Sequence, residues 1–281
     1  MLVENKFKSA CSTNGRRVIV LLQFAANLTM LFTEVPFMDR FSLAQKEGFR
    51  FVEYLFPYEY ELDRLKEELS QNGLKQILFN LPSGNWAAGD RGIAADPARI
   101  EEFRAGVSVG IEYALGLGVN QVNCLAGKTV SGFSYEEQWS TLVENVRYAA
   151  KALDDKKLNL VIEPINHFDI PGFFLNKTEQ VVKLIDEVAM PNVFVQYDVY
   201  HAQREEGELT NTLRKHINKI AHIQIADNPG RHQPGTGEIN YPHIFDTLER
   251  LGYQGYVGLE YIPQPGSTES LKWIKEFGYT L

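Results

Sequence analysis

The stretch Leu158-Asn-Leu-Val-Ile-Glu163-Pro-Ile-Asn-His167-Phe-Asp-Ile-Pro171 runs a short apolar segment straight into one carboxylate, with a proline next. A short apolar run closed by a breaker predicts a strand covered on both faces. Glu163 then falls at the C-terminal mouth of that strand. A carboxylate is costly to bury unless it is protonated, paired or bound to a cation. The reading of the chain therefore turns on what accompanies Glu163.

The same pattern repeats on both sides. Apolar, β-rich runs at 23–30, 49–56, 74–81, 121–126, 158–165, 193–199, 220–226 and 255–261 alternate with helical stretches at 36–47, 61–72, 96–117, 134–153, 178–188, 209–217, 241–251 and 268–277. Gly48, Gly73 and Gly252 close helices, and Asp96-Pro97 opens one. Ser134 with Glu137 three residues on has the capping-box pattern. Regular alternation points to a parallel sheet clothed in helices. Eight units in about 255 residues fit an α/β fold of the closed (β/α)8 TIM barrel type better than an open sheet. No GxGxxG follows the first strand, so a dinucleotide-binding fold lacks its main signal.

One barrel domain is expected over 23–281. Residues 1–22 hold Lys6, Lys8, Arg16 and Arg17 ahead of the short run Val18-Ile-Val-Leu-Leu22. That run is too short for a secretory signal and lacks a cleavage pattern. An N-terminal extension, either a disordered arm or an extended translation start, is the expectation for 1–22. The 281 residues are 44% hydrophobic with a net charge of −8. Such an acidic balance argues against nucleic-acid and membrane-surface partners, which call for a basic footprint. No apolar run approaches the ~18 residues of a membrane span. Cys11 and Cys124 have no metal-type spacing, which fits a reducing, cytoplasmic setting. A homo-oligomer is left open.

Active sites of such barrels lie at the C-terminal ends of the strands. There the fifth strand offers Glu163, the sixth Asp198, the seventh Gln224 and the eighth Glu260. Any one of these alone reads equally well as a solvated strand-end residue. Four oxygen donors on successive strands suit a hard divalent ion, Mg²⁺ or Mn²⁺. His201 stands three residues past Asp198 and His167 four past Glu163. His222, two before Gln224, reads as a buried support. Arg231, in a loop shaped by glycines and prolines, could clamp a carboxylate. Lys128, after the fourth strand, is a second cation for an anionic substrate. Asn80 and Trp86 could shape the other side of the mouth. No GxSxG or recognisable Cys–His pattern provides a nucleophile. Two glutamates flanking an ion suit proton transfer at a carbon next to a carbonyl.

At these residues the chain closely resembles the hydroxypyruvate isomerase family of xylose isomerase-like TIM barrels. The resemblance runs through Phe24-Ala-Ala-Asn-Leu-Thr-Met-Leu-Phe32, Asn80-Leu-Pro-Ser-Gly-Asn-Trp-Ala-Ala-Gly89, 160–172, His222-Ile-Gln-Ile-Ala-Asp-Asn-Pro229, 234–241 and 257–261. It implies interconversion of hydroxypyruvate and 2-hydroxy-3-oxopropanoate (tartronate semialdehyde), a small anionic substrate. It also implies Glu163 and Glu260 as the acid/base pair, with Glu163, Asp198, Gln224 and Glu260 around a divalent metal. In related ketose epimerases the residues matching His201 and Arg231 hold substrate oxygens. Those enzymes usually carry histidine where Gln224 stands, which implies weaker or different metal binding here. The alternatives are a 2-oxo-tetronate isomerase, a ketose 3-epimerase, a metal-dependent DNA repair endonuclease, and a non-catalytic binding module.

Overall fold

The computed structural model describes residues 21–281, so the extension expected over 1–22 lies outside the described residues except for its last two. The strands are β1 (Gln23–Asn27), β2 (Phe51–Glu53), β3 (Lys75–Leu78), β4 (Gln121–Cys124), β5 (Asn159–Ile162), β6 (Val193–Asp198), β7 (Ile220–Ile225) and β8 (Tyr256–Leu259). The helices are α1 (Asp39–Lys46), α2 (Leu62–Gln71), α3 (Ile100–Leu117), α4 (Tyr135–Asp154), α5 (Thr178–Val188), α6 (Val199–Glu205), α7 (Leu209–His216), α8 (Tyr241–Leu251), α9 (Ser267–Ser270) and α10 (Lys272–Glu276).

The strands are parallel and ordered β3-β2-β1-β8-β7-β6-β5-β4. The two ends of that order meet. Asn123 N donates to Phe79 O (2.9 Å) and Leu81 N to Asn123 O (2.8 Å). Eight strand–helix units thus curl into the barrel that the alternation implies, with the β3–β4 seam held by a short bridge. No described helix is long and apolar enough to cross a membrane.

Local signals explain most boundaries. Ser134 Oγ accepts from Glu137 N (3.2 Å) while Glu137 Oε2 accepts from Ser134 N (2.7 Å), the reciprocal cap at the start of α4. Asp96 Oδ1 accepts from Ala98 N (2.9 Å) and starts a 3-10 turn, Pro97–Arg99, that leads into α3. The closing helix expected over 268–277 is two pieces, α9 and α10. Helix α6 is absent from the pattern reading. At seven residues it is too short to show a helical period, and its start is set by the Asp198 side chain.

Strands end earlier than their apolar runs because the last residues of each run leave the ladder to form the mouth. A small cluster of strand residues, Ala25, Ile77, Leu78 and Val161 with Phe51, Phe194, Ala221 and Tyr256 against it, stands apart from the main core. Drawn from seven strands, it fills the bore as one apolar layer. Nearer the C-terminal ends the buried strand residues turn polar: Asn27, Glu53, Asn123, Gln196, Asp198, His222 and Gln224.

Candidate active site

Glu163 leaves the end of β5 buried, at 6% exposure. Its Oε2 accepts from Asn123 Nδ2 (3.3 Å), and Asn123 Nδ2 also reaches Asn80 Oδ1 (3.0 Å). Asp198, last in β6, caps α6 by accepting from Tyr200 N (2.8 Å) and His201 N (3.4 Å) at Oδ1. That cap turns His201 back over the mouth. His201 Nε2 lies 3.6 Å from Asp198 Oδ2 and 3.9 Å from Glu163 Oε1. These three residues bring ligand-type atoms within 4.8 Å of one another. Asp198 Oδ2 is buried with no hydrogen-bond partner. An orphaned carboxylate oxygen beside a second carboxylate fits a cation, so the site can hold a metal ion.

Across the mouth, Glu260 is engaged at both oxygens. Arg231 Nη2 donates to Oε1 (2.7 Å), and Asn27 Nδ2 (3.3 Å) and Gln224 Nε2 donate to Oε2. Gln224 Oε1 accepts from Gln196 Nε2 (2.6 Å). Of the four expected ligands, Glu163 and Asp198 therefore meet beside His201, while Gln224 and Glu260 are tied into an amide network. Arg231 links the halves, with Nη2 also 3.7 Å from Asp198 Oδ2. Lys128 is exposed, and its Nζ donates to Gly89 O (3.1 Å), fastening the loop after β3 at the rim. Asn80 is buried behind Asn123. Trp86 packs on Phe56 and beneath Arg91, in that same loop. His167 lies outside the cluster and pairs with Glu205 (2.6 Å).

Glu53 is the residue that strand-end reasoning passed over. It closes β2 fully buried, accepts from Asn27 Nδ2 (3.0 Å) and Gln224 Nε2 (2.8 Å), and stands 2.7 Å from His222 Nε2. Its signal was in the sequence, since Phe-Val-Glu53-Tyr-Leu-Phe sets one acid in an apolar run just as at Glu163 and Glu260. Gly258 makes room for it: a Cβ there would lie 2.3 Å from Glu53 Oε1.

The electrostatics follow from this crowding. Burial, then the charges of Glu260 and Asp198, hold the Glu163 carboxyl well above the usual carboxylate range. Burial pushes Glu260 up to about 8, against the pull of Arg231. Burial also raises Asp198, opposed by Arg231 and by the backbone N–H groups of α6. Burial, with Arg231 and Arg204 adding to it, holds His201 well below its ordinary value, so its ring is neutral.

These shifts have a sign for stability. An acid whose folded pKa is raised binds more protons folded than unfolded, so folding weakens as pH rises between the two values. For Glu260 that window runs from 4.5 to about 8. Melting temperatures in EDTA should fall across it, and added Mn²⁺ should restore them most at its alkaline end. A flat profile would contradict the site's electrostatics.

Arg231 owes its place to Asp227. The buried Asp227 carboxylate accepts from four backbone N–H groups: Asn228 (2.9 Å), Gly235 (2.8 Å), Gly237 (2.9 Å) and Ile239 (3.1 Å). It gathers the 227–240 loop, where Arg231 itself sits at φ 56° and its carbonyl accepts from Ile262 N (2.7 Å). Asp227→Ala strands those donors, at about 1–3 kcal/mol for each one left unsatisfied. We expect a lower melting temperature and a kcat/KM reduced at least about tenfold, as Arg231 loses its fixed position. Thermal unfolding and steady-state rates check this.

Comparisons with known proteins agree with this layout. A model described as "Xylose isomerase-like TIM barrel" matches residues 41–277. The hydroxypyruvate isomerase of Escherichia coli K12 is 54% identical over 92% of this chain and 100% of its own length. A 2-oxo-tetronate isomerase of Cupriavidus necator is 42% identical over 91% of this chain and 98% of its own. A Brucella melitensis crystal structure titled "AP endonuclease, family 2" superposes at a TM-score of 0.89, with 43% identity, over 91% of this chain and 99% of that one. The parallel eight-stranded barrel, the buried acids at its mouth and these full-length relatives lead to one statement: the chain is an isomerase belonging to the xylose isomerase-like TIM barrel family.

Proposed function

We propose that the chain interconverts hydroxypyruvate and tartronate semialdehyde by proton transfer through an enediolate. The observation that carries the chemistry is the pair of buried glutamates, Glu163 and Glu260, each raised above the carboxylate range. The mutual repulsion of ionised acids in this mouth favours one carboxylate with one carboxylic acid, the state a proton shuttle needs. One glutamate takes the proton from C3 of hydroxypyruvate. The C3–H electron pair forms the C2=C3 bond, and charge develops on the C2 oxygen. The other glutamate returns a proton to C2. In sum the C3–H and O3–H bonds break while C2–H and O2–H bonds form.

Arg231 and His201 stand beside the space where that charge develops, and Lys128 adds positive potential at the rim. Arg231 and Lys128 are the cations offered to the substrate carboxylate. A divalent ion, Mg²⁺ or Mn²⁺, held at Glu163 and Asp198 would polarise the carbonyl and hydroxyl oxygens. Gln224 and Glu260 complete that wall through the hydrogen bonds described above.

The substrate's size is the finer question, and the 2-oxo-tetronate isomerase relative makes a four-carbon acid the second reading. A net charge of −8 and, among the described residues, a single candidate metal cluster with one histidine speak against a DNA repair endonuclease. A coupled assay of both oxo acids, with and without EDTA, tests the proposal. Hydroxypyruvate should win by about tenfold or more in kcat/KM. Preference for 2-oxo-tetronate would reassign the substrate.

A further inference from the structure

Asn166 lies three residues past Glu163, fully buried, and touches none of the strand-end acids described above. Its surroundings fix the orientation of its side-chain amide. Asp169 N lies 2.9 Å from Asn166 Oδ1, and a backbone N–H can only donate, so that atom is the oxygen. The other amide atom is therefore the NH₂ group. It lies 3.2 Å from Asp169 Oδ2, an acceptor, and 2.6 Å from His201 Nδ1. Asp169 is held in turn by Arg204, whose Nη1 donates to Asp169 Oδ1 (2.5 Å) and to the Tyr200 hydroxyl (2.7 Å).

We propose that Asn166 is a positioning residue that fixes the proton of His201 on Nε2, so that His201 faces the site as an N–H donor to a substrate oxygen. The argument is one of hydrogen-bond polarity. An amide NH₂ facing Nδ1 requires that nitrogen to accept, and a neutral imidazole with a bare Nδ1 carries its proton on Nε2. Nε2 is the atom aimed between Glu163 and Asp198. A metal ligand would need Nε2 bare, with the proton on Nδ1. That would set N–H against N–H at 2.6 Å. The arrangement thus separates the three clustered residues. Glu163 and Asp198 offer oxygens to a cation, while His201 offers a hydrogen to an oxygen that gains charge in the enediolate. This rests on the isomerase reading above.

The test is ¹⁵N NMR of the intact, histidine-labelled protein, with the His201 ring assigned through His201→Gln among six histidines. Protonated and bare ring nitrogens resonate far apart. The wild-type protein should show His201 neutral with its proton on Nε2, and Mn²⁺ should bind His201→Gln with little loss of affinity. Asn166→Asp replaces the donor by an acceptor and should move the proton to Nδ1. Its kcat should fall about 10²-fold with KM changed much less, since the lost donor serves the transition state. Asn166→Leu should show mixed tautomers and a smaller loss.

A wild-type ring protonated on Nδ1 overturns the proposal, and so does an Asn166→Asp variant that flips the tautomer yet keeps full kcat. The wild-type spectrum decides even where a variant fails to fold. A protein inactive on hydroxypyruvate that still shows the Nε2 proton would overturn the substrate assignment and leave the tautomer assignment standing.

Discussion

Glu163→Gln and Glu260→Gln should each reduce kcat on hydroxypyruvate by about 10³-fold or more while the barrel remains folded. Glutamine keeps the shape and loses the titratable carboxyl, so each substitution removes one side of the acid/base pair. The two variants should differ in stability. Glu163 in its charged form is disfavoured by burial and by Glu260 and Asp198, so a neutral amide relieves that cost. The melting temperature of Glu163→Gln should hold or rise at pH 8. Glu260→Gln gives up the 2.7 Å ion pair with Arg231 and leaves that guanidinium the longer Asp198 contact and the face of Tyr200. Its melting temperature should lie below that of Glu163→Gln. Steady-state rates with circular dichroism melts check both, and near-wild-type turnover in either variant would remove that residue from the pair.

The second large effect lies beneath the site. Glu53→Leu should destabilise the fold by about 3–5 kcal/mol, because it strands His222 after its partner at 2.7 Å is gone. It also removes the acceptor shared by Asn27 and Gln224. Gln224 then loses one of the two carboxylates that hold its NH₂ beside the mouth, so activity should fall along with stability. The double variant Glu53→Leu/His222→Leu should lose less stability than the sum of the singles, since neither side chain is left facing the other's absence. Denaturant unfolding measures the cycle. Additive losses would show that Glu53 and His222 do not act as a pair.

The barrel was legible because its signal is redundant. Eight apolar runs, each followed by a helix with a start or stop residue, leave little choice of topology. The acids Glu163, Asp198 and Glu260 were legible for a related reason, since each interrupts an apolar run at the strand's end. Glu53 carries the same signal at the end of β2, apart from the four consecutive strands β5 to β8. Which oxygens are free was not legible. Gln224 lies next to last in β7, near the level of Asp198 at the end of β6, yet Gln196 from the neighbouring strand takes up its amide oxygen. Sequence spacing records which residue stands at a strand end, not what its neighbours across the ladder donate. The role of Asp227 was not legible either, because its carboxylate gathers backbone N–H groups spread from Asn228 to Ile239. Helix α6 escaped because a side-chain cap sets it, with no periodic face to announce it.

The central claim, that this mouth moves a proton between carbons, is tested most directly by running the isomerisation in D₂O. Hydroxypyruvate and tartronate semialdehyde are then followed by NMR. Proton transfer through Glu163 and Glu260 predicts deuterium at C2 of the product and growing exchange at C3 of the remaining substrate. Turnover in which the C3 hydrogen arrives at C2 undiluted, with no solvent deuterium in either compound, would contradict it.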